Sequence, residues 1–270
     1  MRRGLFGVLL CLSCAPAPKA EPAPEDLDAN VRWFWVNGEA AVDPALIDAA
    51  QKLAIAGKVD TRTSPFKGQQ RQRLTSEELK VVNLEANDPS KARALLVVNL
   101  FDCTLEKLAS ILSSTEQTSL YPDVWTSHVR TLTGDRSAFL ERRAPRVTWD
   151  ADVGVTFPVG DSYQSKLKGS LRRVTVPAGS SLGAELLVAR LWLTAPATFS
   201  PSSASFFNQN YEIEIFWEPQ PGRLAHGYGM WREVKVGTFN VTLEDDGFFN
   251  ITLDNLVDWD KKTAALCAKP

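Results

Sequence analysis

Long apolar runs are nearly absent from this 270-residue chain. Beyond its first fourteen residues no segment approaches the eighteen or so uninterrupted apolar residues of a membrane-crossing helix. A surplus of one charge is also lacking. Thirty Lys and Arg against 32 Asp and Glu leave a net charge of −2, which excludes a nucleic-acid partner dependent on clustered basic residues. With only two His and four Cys, and no metal-ligand spacing among His128, His226, Cys103 and Cys267, no metal site is expected. No phosphate loop, dinucleotide fingerprint, HExxH or CxxC is present, so no cofactor is expected. Two Met against eight Trp and thirteen Phe suggest a rigid, aromatic interior rather than an adaptable one.

What is present begins at the N-terminus. Arg2 and Arg3 precede an apolar run from Leu5 to Leu12, then Ser13, Cys14 and a Pro/Ala-rich stretch. A charged start, a short apolar core and a small residue before a cut is a secretory signal, and the run is too short to span a bilayer. A cysteine directly after such a core resembles the lipobox of bacterial lipoproteins. That resemblance implies a signal peptide over 1–13 and acylation of Cys14. It also implies a bacterial cell envelope location, lipid-anchored, with the periplasm-facing outer membrane favoured because Ala15, not Asp, follows the cysteine. Residues 14–30 then read as a lipidated cysteine plus a polyproline-like tether. Cys11 leaves with the signal and Cys14 carries lipid, so Cys103 and Cys267 remain. In an oxidising compartment they most simply pair, closing a loop of about 160 residues worth about 5 kcal/mol in the chain-entropy model. Two separately buried thiols are the alternative.

Folding signals start at Val31, with an apolar patch at Trp33, Phe34 and Trp35. Asp43 reads as the capping side chain of a helix with Pro44 at its first position, and Gly57 ends it. Thr75-Ser76-Glu77-Glu78 is a capping box. Residues 31–93 therefore read as a helical N-terminal extension, and 94–270 as a sheet domain. Leu95–Phe101 is a buried strand, and Thr104 caps a helix with Leu105, Leu108, Ile111 and Leu112 on one face. Strand patterns then fill most of the chain to Leu253. Tyr211, Ile213, Ile215 and Trp217 alternate with Glu212, Glu214 and Glu218, which marks a strand with one wet face. Asp246-Gly247 between apolar runs predicts a hairpin, and a short closing helix is expected from Asp254.

This order is α+β: a curved antiparallel sheet with N-terminal helices and a short C-terminal helix, the alternatives being β-barrel-like or sandwich. The strand Leu95–Phe101, the helix Leu105–Leu112 and the segment Leu120-Tyr121-Pro122-Asp123-Val124-Trp125 resemble the helix-grip fold of START and polyketide-cyclase-like proteins. The resemblance implies a sheet closing over an apolar cavity and a lipid-like ligand.

Two strings could carry chemistry. Gly179-Ser180-Ser181-Leu182-Gly183 matches the G-x-S-x-G nucleophile elbow, with His226 downstream as a base. A turn between two strands produces the same letters, and the preferred reading is that turn. His226-Gly227-Tyr228-Gly229-Met230-Trp231 mixes glycines with polar and aromatic groups. It reads either as pocket lining, with Trp149 and Trp217 as further candidates, or as a bent strand relieved by glycine. Asp254, Asp258 and Asp260 read as acids at a helix start.

No credible catalytic constellation emerges. The leading expectation is a non-enzymatic envelope lipoprotein that binds an apolar or lipid-like ligand and meets the membrane through its anchor. A structural or assembly role at the envelope, with an unknown protein partner, is the second reading. A serine hydrolase using Ser181 and His226 is the remote third.

Overall fold

A computed structural model of the chain describes residues 22–67, 72–156, 161–200, 203–237, 241–242 and 246–269. Cys14, the expected signal peptide and the spacer to residue 21 lie outside the described residues. The described chain opens with helices α1 (Leu27–Asn37) and α2 (Asp43–Ala56), strand β1 (Phe66–Lys67) and helix α3 (Ser76–Leu79). Strand β2 (Arg93–Asp102) follows, then helices α4 (Leu105–Leu112) and α5 (Gln117–Leu120), strand β3 (Ser127–Thr133) and helix α6 (Arg136–Leu140). The remaining strands are β4 (Arg146–Thr156), β5 (Ser162–Thr175), β6 (Glu185–Leu193), β7 (Thr198–Phe199), β8 (Phe206–Gln220), β9 (Arg223–Val236) and β10 (Val241–Thr242). Helix α7 (Asp246–Cys267) closes the chain.

All strands join one antiparallel sheet in the order β1-β2-β9-β8-β6-β5-β4-β3, with β10 on β9 and β7 on β5. The path is open at β1 and β3, so neither a closed barrel nor a two-sheet sandwich describes it. The α+β architecture with helices at both ends of the chain holds.

Each face of the sheet is covered by helices. On one side Val31, Phe34 and Trp35 of α1 and Leu46, Ala50 and Leu53 of α2 share a core with Val98, Ile213, Ile215, Trp217 and Trp231. The Trp33–Trp35 patch is therefore part of a helix, capped by Asp26, which accepts from the Ala29 amide at 2.9 Å. Packing begins before residue 31. Ala23 is buried, and the buried Asn30 donates to the Pro24 carbonyl at 2.8 Å and the Ala49 carbonyl at 3.2 Å. The tether expected to run to residue 30 thus ends by Ala23. Residues 31–93 are a layer of the same core rather than an extension.

On the other side α7 lies against β2, β8 and β9. Its apolar and small residues fall at Leu253, Val257, Ala264 and Cys267, one helical stripe that continues back past Asp254. The hairpin at Asp246-Gly247 and the strand after it are therefore not formed, and the closing helix is 22 residues rather than short. A β-rich apolar run of this length is indistinguishable from a buried helix segment by periodicity alone, and the stripe through Cys267 decides it. The end of α7 is fixed to the end of β2 by a Cys103–Cys267 disulfide with Cα atoms 5.3 Å apart. Lys107 of α4 caps the helix, donating to the carbonyls of Cys267 at 2.7 Å and Lys269 at 2.8 Å, a favourable placement of positive charge at a helix C-terminus.

The glycines of β9 explain how the α1–α2 layer comes so close. A Cβ on Gly227 would stand 2.9 Å from Leu53 Cδ2, and one on Gly229 would overlap Val31 Cγ1. Neither glycine has a positive φ, so both are there for close approach rather than for a bend. Gly229→Ala is expected to push α1 off the sheet and cost about 1–3 kcal/mol, as overpacking does. A thermal melt of the variant at or above the wild-type midpoint would contradict this account of the layer.

Candidate functional site

Along β9 successive side chains alternate between the two faces. Gly227, Gly229 and Trp231 face α1 and α2, while His226, Tyr228 and Met230 face the α7 side. His226 sits mid-strand opposite Asn99 of β2 and Phe216 of β8, and it is 3% exposed. Its Nδ1 lies 2.8 Å from Asp260 Oδ1, and its Nε2 is 3.2 Å from Glu214 Oε2. The first contact is a hydrogen bond. The second is close enough for ion pairing but not aligned as a hydrogen bond, since Nε2 has no hydrogen-bond partner among the described residues. Asn99 Nδ2 donates to Asp260 Oδ2 at 2.8 Å, so both carboxylate oxygens are engaged. The imidazole stacks on Phe216 at 4.1 Å and meets Phe101, Tyr228 and Trp259 at 5.5–6.3 Å.

These contacts set the protonation of the site. Burial pushes the His226 pKa down, but Asp260 and Glu214 outweigh it and hold it up at about 9. Burial raises Glu214, against the pull of His226. Tyr228 is driven well above its usual value by burial and then by Glu212 and Glu214. At neutral pH the site is a buried imidazolium between two carboxyl groups, flanked by a protonated phenol. Glu212 accepts from Arg232 Nη2 at 2.9 Å and Asn210 Nδ2 at 2.7 Å, continuing the polar line along β8 and β9. Buried charges cost stability unless paired, and groups perturbed in this way concentrate where proteins bind or react.

Beside this line a cleft of about 720 Å³ opens between the Arg62–Pro65 loop, the end of β2 and α7. Asn99 forms part of its lining, one hydrogen bond from Asp260 and two from His226. Its rim carries both signs of charge, including Arg62, Asp102, Arg223, Asp258 and Lys261. The volume lies within the roughly 300–1,000 Å³ of small-molecule sites. Among the described residues no three His, Cys, Asp or Glu converge as a metal site.

The five pocket candidates do not gather in one place. His226, Tyr228 and Trp149 face the α7 side, while Trp217 and Trp231 belong to the core under α1 and α2. Trp231 Nε1 is spent on the Gln72 carbonyl at 3.0 Å. Strand parity separates them. The face of β8 read as wet is the other correction. Glu212 and Glu214 point into the α7 side and are only 12% and 15% exposed. Ser181 is exposed in a turn between β5 and β6, so G-x-S-x-G here joins strand to strand. His226 is directed at Asp260 and Glu214 inside the fold, and the hydrolase pair does not assemble. Asn99 and Phe216 were not singled out from sequence, while Asp260 was read only as an acid at a helix start and Glu214 only as part of a solvated strand face. The one available signal was an acid, Asp260, inside the apolar stripe of the last helix.

No family model matches the chain, and no curated protein matches it significantly. Among solved structures it is similar to dicamba monooxygenase bound to 3,6-dichlorosalicylic acid, at 9% identity and TM-score 0.41, over 67% of this chain and 49% of that one. It thus spans about half that enzyme's length. It is also similar to the lipid transfer and protein localization domain of human StarD13 (DLC2), at 10% identity and TM-score 0.37, over 82% of this chain and 94% of that one. At this degree of likeness neither comparison bears on this chain's ligand or chemistry.

The raised His226 pKa fixes the sign of a pH effect. The imidazolium contributes its full stabilisation below about pH 6.5, the unfolded value, and loses it as pH rises through about 9. Denaturant unfolding should therefore show stability falling across that window, with a slope of up to about 1.4 kcal/mol per pH unit from this group. His226→Gln should flatten the slope. An equal slope in both proteins would assign the pH dependence elsewhere.

Proposed function

We propose that this chain is a cell-envelope lipoprotein, tethered through an acylated Cys14, whose folded part holds an amphipathic, lipid-like ligand in a START-like manner. The ligand sits in the seam between the sheet and α7, without covalent chemistry on it. The observation that carries the binding reading is the 720 Å³ cleft whose lining residue Asn99 is wired through Asp260 to the buried His226. A polar line at the centre of an otherwise apolar seam is a costly way to build a purely structural core. It suits a site that must hold a partly polar ligand beside apolar walls such as Phe101, Val257 and Ala264. The envelope address rests on the N-terminal sequence, with its charged start, short apolar core and Cys14.

Two measurements test the two halves separately. Native mass spectrometry of the gently released full chain should find an additional mass that is lost on denaturation. Thr63→Trp, at the exposed rim of the cleft, should lower its occupancy while leaving the fold intact. A bare mass in the wild type would overturn the ligand reading. Cys14→Ala should abolish the acyl mass and membrane retention together, and persistence of the acylated mass in that variant would overturn the anchor.

A further inference from the structure

A second group of buried polar side chains lies at the far end of the same seam, where β3 forms the open edge of the sheet. His128 and Arg130, two apart on β3, share the face directed at α4 and α7. Arg130 pairs in register with Ala151 of β4, and Trp149, two residues earlier on that strand, lies on the same face. The Arg130 guanidinium sits 4.3 Å over the Trp149 ring. Trp125, just before β3, meets the His128 ring edge-on at 5.1 Å. Two outward bonds hold the guanidinium still. Its Nη1 donates to the carbonyl of Leu112, at the end of α4, and to that of Ser114 at 3.3 Å.

What these four side chains lack is acceptors. Trp125 Nε1, Trp149 Nε1, Arg130 Nε and both ring nitrogens of His128 are buried with no hydrogen-bond partner among the described residues. His128 and Trp149 are 7% and 6% exposed. The indoles and the guanidinium can only donate, and a neutral imidazole donates from one nitrogen. No carboxylate lies within ion-pair reach of Arg130 among the described residues. Buried donors are almost always satisfied, and a group able to satisfy these would be rich in acceptors. Burial lowers Arg130 to about 10, against Tyr121 and, beyond ion-pair reach, Glu214, so it stays a cation at neutral pH. Burial and the Arg130 charge lower His128 to about 4, so it stays neutral. The group carries one positive charge with no carboxylate in ion-pair reach among the described residues and a set of N–H donors, and two of its members, Trp125 and Arg130, are half-buried at the β3 edge.

We propose that Arg130, Trp149, Trp125 and His128 form a receptor for the anionic head of an amphipathic ligand, a carboxylate or a phosphate monoester. The proposal rests on the reading that this seam binds such a ligand and names the head it selects. A fixed guanidinium with flanking N–H donors favours an oxyanion over a hydroxyl or an ammonium head.

Isothermal titration of the full chain with octanoate, octyl phosphate and octanol tests it, since the tails match and only the heads differ. The expected result is that at least one anionic probe binds tenfold or more tighter than octanol, and the tighter of the two identifies the head. Trp149→Phe, which keeps the ring and removes the N–H, and Arg130→Gln should each erase most of that preference while octanol binding is unchanged. Equal binding of all three probes would overturn the receptor and leave the ligand-binding seam standing. So would a preference that survives both substitutions. Failure of every probe to bind would overturn both.

Discussion

The two-residue alternation of β9 is the constraint on which both layers of this molecule depend. On one side it offers hydrogen atoms at Gly227 and Gly229, so α1 and α2 can approach closely enough to bury Val31 and Leu53 against the backbone. On the other it presents His226 and Tyr228 to the α7 side. A slip of one residue in the pairing of β9 would drive an imidazole into α1 and leave glycines facing Asp260. Register is thus fixed from both faces at once. The pairing of β9 with β2 runs unbroken from Arg93↔Arg232 to Asp102↔Arg223.

Much of the frame was legible in the sequence because its signals are local. Thr104 caps α4 and the Thr75–Glu78 box closes on itself as its spacing requires, while α2 starts at Asp43-Pro44 with Val42 in the N-cap place and no capping bond from Asp43. Leu95–Phe101 is a strand because its apolar, β-branched run is buried on both faces. The failures are of another kind. Glu212 and Glu214 alternate with apolar residues as a solvated face would. They are buried because a helix some forty residues later brings Asp260 and, through the sheet, His226 to them. Alternation reports that two faces differ in polarity; it does not report which one meets water. The same limit scattered the pocket candidates, since composition grouped Trp231 with His226 and parity puts them on opposite sides.

Asp260 shows why the site itself was not legible. Its partners Asn99 and His226 lie 161 and 34 residues away in sequence, and within α7 it occupies the position where an apolar residue would ordinarily complete the stripe between Val257 and Ala264. A helix bound to a sheet only by leucines can rotate or slide at small cost, because apolar contact is non-directional. One carboxylate bonded to an imidazole and an amide at once admits a single rotation and a single register. The buried ion pair therefore contributes specificity to the α7 seam even where its net stabilisation is small.

The ties along α7 are of different kinds along its length. Its C-terminal end is held by the disulfide to Cys103 and by Lys107 on its last carbonyls, and its middle by Asp260. Toward the N-terminal end the helix meets the sheet through apolar contacts of Leu253, Leu256 and Val257. That end borders the cleft through Asp254 and Val257. The charged group around Arg130 lies instead near α4 and the fixed half of the helix. Between the two, Trp259 stacks on Tyr121 at 5.8 Å while Thr263 hydrogen-bonds the Tyr121 hydroxyl at 2.8 Å, which ties α7 to the segment that precedes β3.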